Sequence, residues 1–341
     1  MEISVIVPVY NAEATLQRTL DALSKQDFFS FEVILVDNGS IDNSALICKK
    51  MAQKDARFVY MYIEKKGVSN ARNIGIANSR ARYVCFCDAD DIPSSNMLSV
   101  LYENIDKTNS GMVMCNYFSE RDNRNSKFPD YWPRVLDEHD IKEKLIPAMF
   151  YSEAGLDAIW GTVWRAIFKR NIIIDNGLKF DEKLTFAEDL CFVMEYLYCI
   201  DSVILESRVL YNYSMVEGSA MLSYNRYKRD LFSERKYLIS KINTIVKRIF
   251  RNEVPNSFMR NLNTIYQEYI LECIGNSCVL DEKNKMQHVC GRVKEIIHSA
   301  IVQDVFSEVQ VEDKKKQIIF GLIKHKCTHI ITLYYLLRKN K

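Results

Sequence analysis

Over its first hundred positions the chain alternates between two hydrophobic rhythms. ISVIVPVY (residues 3–10) and FEVILVD (31–37) are compact apolar runs rich in β-branched residues. Between them Ala14, Leu16, Leu20 and Leu23 recur at helical spacing within residues 12–26. The alternation continues with a helix over 44–54, a strand over 58–63 and a helix opening near Val68. RYVCFCDADD then reads as a fourth strand, entering a helix over 94–107. Strands alternating with helices predict a parallel sheet covered on both faces. Ligands of such sheets bind outside the carboxyl ends of the strands. That rule points Pro8, Val9, Tyr10 and Asn11, then Asp37, Asn38 and Gly39, then Asp88 to Asp91, toward one crevice.

Farther along, residues 119–134 (SERDNRNSKFPDYWPR) are polar and charged and predict a long excursion, and TVWRAIFKR reads as a further strand. Eight of the 11 glycines and five of the six prolines precede Ser219, and the pattern after residue 225 is helical, with a break at 252–256. The expected organisation is a unit over 1–225, with halves 1–110 and 111–225, followed by a mainly helical region over 226–341. The net charge of +2 conceals an asymmetry. Residues 1–225 carry 24 Lys/Arg against 32 Asp/Glu, whereas 226–341 carry 22 against 12. The two parts therefore suit different partners. The ten cysteines lack C-x-x-C spacing, which predicts a reduced, cytoplasmic setting. No apolar run is long enough to span a bilayer, and MEISVIVPVYN reads as a strand in preference to a signal peptide.

Three stretches carry chemistry. In CDADD, Asp88 and Asp90 are one residue apart at a strand's end. Hard carboxylate oxygens there suit Mg²⁺ or Mn²⁺ together with a ribose; the other reading is a solvated helix start, since Asp favours N-caps. In GVSNARNIG, Gly67 permits a tight turn, Ser69 or Asn70 can cap a helix, and Arg72 falls in its first turn. This is either an anion site or an ordinary capped helix. In FAEDLCF, Glu188 and Asp189 lie in an apolar frame, where a raised pKa would suit Asp189 to take a proton from a hydroxyl. The alternative there is a helix N-terminus whose acids favour the dipole.

Taken together, SVIVPVYN, VDNGSIDNS, GVSNARNIG, the D-x-D of CDADD and the ED of FAEDLCF resemble the family-2 glycosyltransferases, with IWGTVWRAIFKR and YNYSMVEGSAM as looser matches over residues 1–222. The resemblance implies the GT-A fold: a Rossmann-like α/β architecture with a mostly parallel sheet flanked by helices, here with a C-terminal helical extension. It implies an inverting transfer from a nucleotide sugar to a glycan or polyprenyl-linked acceptor in surface polysaccharide biosynthesis. Pro8, Val9, Tyr10, Asp37, Asn38, Gly67, Arg72, Asp88 and Ala89 would then hold the donor. Asp90, with Asp88, would ligate Mn²⁺ or Mg²⁺, and Asp189 would be the base with Glu188 beside it. Many relatives carry two consecutive acids where this chain has Asp37-Asn38. An amide can accept the N3–H of uracil and also donate to a ring carbonyl, so a UDP-sugar is expected first and a dTDP-sugar second.

Trp160 and Trp164 are candidates for the acceptor side, with core packing as the alternative. Tyr211 and Tyr213 read as packing residues. The final stretch, residues 318–341, holds five Lys/Arg, two His and no acid among many apolar residues. It suits either an anionic membrane surface, giving a peripheral location at the inner face of the membrane, or a helix packed on the protein. His325 and His329 are spaced to share a helical face but lack further metal ligands. An inactive nucleotide-sugar-binding protein and a sugar nucleotidyltransferase are the alternative functions. The second needs a glycine-rich basic loop where this chain has PVYNAEA, and a dehydrogenase needs the G-x-G-x-x-G that is absent here.

Overall fold

A computed structural model describes residues 1–64, 67–151, 159, 161–214, 231–278, 286–307 and 313–339. The chain divides into two compact units, Met1–Ser223 and Tyr224–Lys341.

Among the described residues the first unit is built on a ten-stranded sheet. Its strands are β1 (Ile3–Val9), β2 (Phe31–Asp37), β3 (Phe58–Tyr62), β4 (Tyr83–Phe86), β5 (Ile92–Pro93), β6 (Met112–Ser119), β7 (Arg124–Asn125), β8 (Val135–Asp137), β9 (Ala166–Lys169) and β10 (Ser202–Tyr213). The order is β3-β2-β1-β4-β9-β6-β10-β5, with β7 on β6 and β8 on β10. The β1–β2, β2–β3, β1–β4 and β6–β10 ladders are parallel. β9 lies antiparallel between β4 and β6. This mixed α/β sheet, flanked by helices, is the expected fold class.

Register accounts for the convergence of the motifs. Val9 pairs with Asp37 and Asp37 with Tyr62, so the first three strands end at one level. Ile6 pairs with Phe86, which places Asp88, two residues on, level with Pro8. Because β9 runs the other way, its entry segment Val163–Arg165 also reaches this edge. The helices α1 (Leu16–Ser24), α2 (Ser44–Lys54), α3 (Val68–Asn78) and α4 (Met97–Thr108) cover the sheet. α3 approaches β1 closely: a Cβ on Gly75 would lie 2.3 Å from Ile6 Cγ2, so only glycine fits there.

Two boundaries differ from the sequence reading. α1 begins at Leu16 instead of Ala12, because the preceding N–H groups are taken by side chains. Asn11 N donates to Ser40, Ala12 N to Ser44 and Glu13 N to Asp42. α4 begins at Met97 instead of Ser94, because Ile92–Pro93 pairs with β10.

The helix Glu188–Leu197 is held by aromatic packing. Phe180 and Phe192 stack at 4.1 Å, and Phe86 meets both edge-on. Tyr196 Oη donates to Gly111 O and accepts from Lys169 N, each at 2.8 Å. The body and C-terminal end of this helix are thereby fixed against β4 and β9.

The second unit contains the helices Leu231–Ile249, Asn256–Ser277, Met286–His298, Ala300–Val305, Lys314–Lys324 and Thr328–Lys339. Arg251 and Asn252 have positive φ and Pro255 follows, which produces the expected break. His325 closes one helix and His329 opens the next, so the two do not share a helical face. Among the described residues no helix is long and apolar enough to cross a membrane.

Candidate active site

At the end of β2 the two polar residues divide their tasks. Asp37 is fully buried; its Oδ1 accepts from Ser40 N at 2.9 Å and its Oδ2 from Tyr60 Oη at 2.9 Å. Both carboxylate oxygens serve the turn and the neighbouring strand. Asn38 is also buried, but its Oδ1 has no hydrogen-bond partner. A buried acceptor left unsatisfied carries a desolvation cost, which a ligand N–H would remove. Tyr10 is exposed at the end of β1, and Pro8 is half-buried.

Gly67 caps the N-terminus of α3, with a φ of 128° that is strained for any other residue. Arg72, the fifth residue of the helix, then enters a set of acids. Nη1 of Arg72 contacts Asp189 Oδ1 at 2.5 Å and Glu188 Oε1 at 3.1 Å, and Nη2 contacts Asp88 Oδ1 at 3.0 Å. The guanidinium is buried over the Phe180 ring, and its Nε has no partner. Burial opposes its charge, yet Asp189, Asp88 and Glu188 outweigh burial and raise its pKa. The resemblance placed Arg72 among the residues that would hold the donor; in the structure it ties the D-x-D loop to the Glu188-Asp189 pair.

The D-x-D loop itself is pinned from beneath. Ala89 O accepts from Thr15 Oγ1 and Thr19 Oγ1, and Asp90 O accepts from Arg18 Nη2 at 2.7 Å. Asp91 is fully buried and accepts from Ser214 N and Tyr211 Oη, each at 2.8 Å. The same Tyr211 hydroxyl accepts from Asp88 N at 3.2 Å. Burial, then the charges of Asp88 and Asp90, raises the pKa of Asp91. Burial and Asp88 push Asp90 up to about 6.

In Asp90, burial and the neighbouring Asp88 outweigh the lowering effect of Arg18. Asp88 and Asp90 offer hard oxygen donors of the kind a small divalent cation takes alongside phosphate and water, so the residues fit Mg²⁺ or Mn²⁺. Among the described residues no group of three or more His, Cys, Asp or Glu is assembled to hold a metal by itself.

Asp189 occupies the first turn of its helix, where the N-terminal dipole favours negative charge. Ala187, at φ 59°, turns the chain into that helix. The Asp189 carboxylate also accepts from Val163 N at 3.5 Å, and the Asp189 side chain keeps 16% of its accessible surface. Burial raises its pKa, Arg72 lowers it, and Glu188 and Asp88 raise it further, leaving it at about 7. A half-ionised carboxylate at neutral pH, reachable from solvent, can accept a proton.

A family model described as glycosyl transferase family 2 matches residues 4–156 of this sequence. Over those residues the chain carries the pattern of that family. The uncharacterized glycosyltransferase EpsJ of Bacillus subtilis is 27% identical to it, over 98% of this chain and 95% of its own. Glycosyltransferase GlyA of Streptococcus pneumoniae is 30% identical, over 64% of this chain and 31% of its own length. The crystal structure of Staphylococcus aureus TarS 1–349 in complex with UDP-GlcNAc superposes with a TM-score of 0.66 at 20% identity. The match covers all of this chain and 93% of that one, and it establishes the same fold.

In this glycosyltransferase the two tryptophans fare differently. Trp164 is buried, stacked on Tyr211 at 4.6 Å and on Tyr213 at 5.4 Å, with Tyr117 edge-on. Its ring belongs to the core beneath the D-x-D loop, the packing alternative of the sequence reading. Trp160 and most of YNYSMVEGSAM, from Met215 on, lie outside the described residues. Sequence reading pointed Asp91 toward the crevice without giving it a role, and took Tyr211 for packing. The faint signal was a third acid in DADD followed directly by Ile-Pro, too hydrophobic a context for a solvated carboxylate.

Proposed function

We propose that this glycosyltransferase moves a sugar from a nucleotide diphosphate donor to a hydroxyl of a glycan or lipid-linked glycan, with inversion, in surface polysaccharide synthesis. The observation that carries this reading is the Arg72 bridge, which sets the acid suited to be a base, Asp189, beside the donor-side acid Asp88. In this mechanism Asn38 Oδ1 accepts the N3–H of a uracil or thymine, while Pro8 and Tyr10 flank the ring. UDP is the first choice, in keeping with the UDP-GlcNAc bound to TarS. Asp88 and Asp90 would hold the cation; when bound, Mg²⁺ or Mn²⁺ would neutralise charge on the leaving diphosphate.

The acceptor hydroxyl attacks the anomeric carbon on the face opposite the diphosphate. As its new C–O bond forms, Asp189 takes its proton, and the bond to the diphosphate oxygen breaks with its electron pair. A single displacement inverts the anomeric centre. Arg72 holds the ionised carboxylate of Asp189 in place, and Glu188 shares that cation.

The test is a panel of UDP- and dTDP-sugars incubated with Mn²⁺, with donor turnover and product anomer read by NMR. Turnover with inversion, lost in Asp189→Asn, is expected. Retention of configuration, or full turnover in Asp189→Asn, overturns the mechanism.

A further inference from the structure

We propose that the last helix of the second unit is a docking surface for an anionic lipid bilayer. Thr328–Lys339 packs against Met286–His298 through one face, on which Ile331, Thr332 and Leu336 are buried. The Tyr335 ring on that side lies beside Gly275. The opposite face carries Ile330, Leu333 and Leu337, exposed by 57%, 50% and 62%. At 100° per residue these three fall within one narrow stripe. Among the described residues of this unit the exposed large apolar side chains are Met286, Ile318 and these three, so the exposed apolar surface is concentrated there. The packed-helix and membrane readings of the sequence are therefore compatible: one face packs and the other is presented.

Charge selects the partner. Residues 314–341 hold eight Lys/Arg and no acid. Lys326 and His329 stand at the entry to the stripe and Arg338 at its far end, all exposed. Lys294, Lys326, His329 and Ile330 line an open cavity of ≈ 500 Å³ at the head of the helix, with Cys290 Sγ 3.7 Å from His329 Nδ1. Apolar side chains framed by cations, with a basic recess beside them, match acyl chains beneath phosphate headgroups. Lys316 is paired with Glu268 at 2.6 Å, but Lys326 and Arg338 stand exposed beside the stripe, and a neutral protein partner would gain nothing from them. This surface is independent of the transfer chemistry and stands or falls separately from it.

The test mixes the full chain with phosphatidylcholine vesicles, with and without phosphatidylglycerol, and reads the bound fraction by co-sedimentation. Binding to the anionic vesicles alone, released by salt, is expected. L333S/L337S and K326E/R338E should each weaken that binding about tenfold or more, with unchanged melting temperature and donor turnover. The charge variant leaves every apolar residue in place, so the test does not depend on how the stripe variant folds. Wild-type chain left in the supernatant, or both variants sedimenting as wild type, overturns the proposal. Light scattering that shows a dimer split by L333S/L337S, without vesicle binding, also overturns it and assigns the stripe to a second copy.

Discussion

Arg72 and Asp189, 117 positions apart, form a 2.5 Å ion pair at the carboxyl edge of the sheet, and the other terminal nitrogen of Arg72 reaches Asp88. One buried guanidinium thus holds together the acids proposed to bind the donor and to deprotonate the acceptor.

Replacing Asp189 by Asn keeps the shape and removes the base. Transfer is expected to fall by about 10²–10⁴-fold, while donor affinity by calorimetry changes less than about twofold. Equal loss of affinity and turnover would assign Asp189 to donor binding instead.

The pH profile follows from the raised pKa. Asp189 at about 7 is protonated below that value and cannot accept a proton. kcat/KM is therefore expected to rise about tenfold per pH unit below pH 7 and level off above it. A profile flat between about pH 5.5 and 8.5 would remove Asp189 from the role.

Arg72→Ala leaves three carboxylates facing one another with their shared cation gone. Breaking a buried ionic cluster from one side costs about 3–5 kcal/mol, so urea denaturation should show a loss of that size. A change below about 1 kcal/mol would mean that the network is solvated and weak.

Tyr211→Phe removes the hydroxyl shared by Asp91 Oδ2 and Asp88 N but preserves the stack on Trp164. The unpartnered Asp91 oxygen should cost about 1–3 kcal/mol. If the hydroxyl positions the D-x-D loop, KM for donor should rise with kcat little changed. Equal kinetics at reduced stability would make its role structural.

Asn38→Ala should weaken UDP binding about fivefold to tenfold, the worth of one buried hydrogen bond. Unchanged affinity by calorimetry would show that Asn38 does not read the base.

Much of the site was legible in the sequence because a parallel ladder brings strand ends to one level by register alone. Asp37, Asn38 and Asp88 are close to one another as a direct consequence of the β1–β2 and β1–β4 pairings. The placement of β9 was not legible: a four-residue strand with Ala-Ile-Phe-Lys carries no signal that it will enter antiparallel between β4 and β6. The turn at Ala12–Thr15 escaped for a similar reason, since the side chains that draw its N–H groups away come from residues 40–44.

By itself the sequence determined the alternation of elements, the strand ends that carry polar residues, and the acidic-then-basic division of the chain. These rest on local periodicity and composition. Only the tertiary structure decided which carboxylate is spent on a turn, as in Asp37, and which acceptor is left open, as in Asn38. It alone also brought Arg72 to Asp189, and Asp91 to Ser214, across more than a hundred residues. Such partners are chosen by packing and by the cost of burying an unpaired polar group, and neither is visible along a single strand of text.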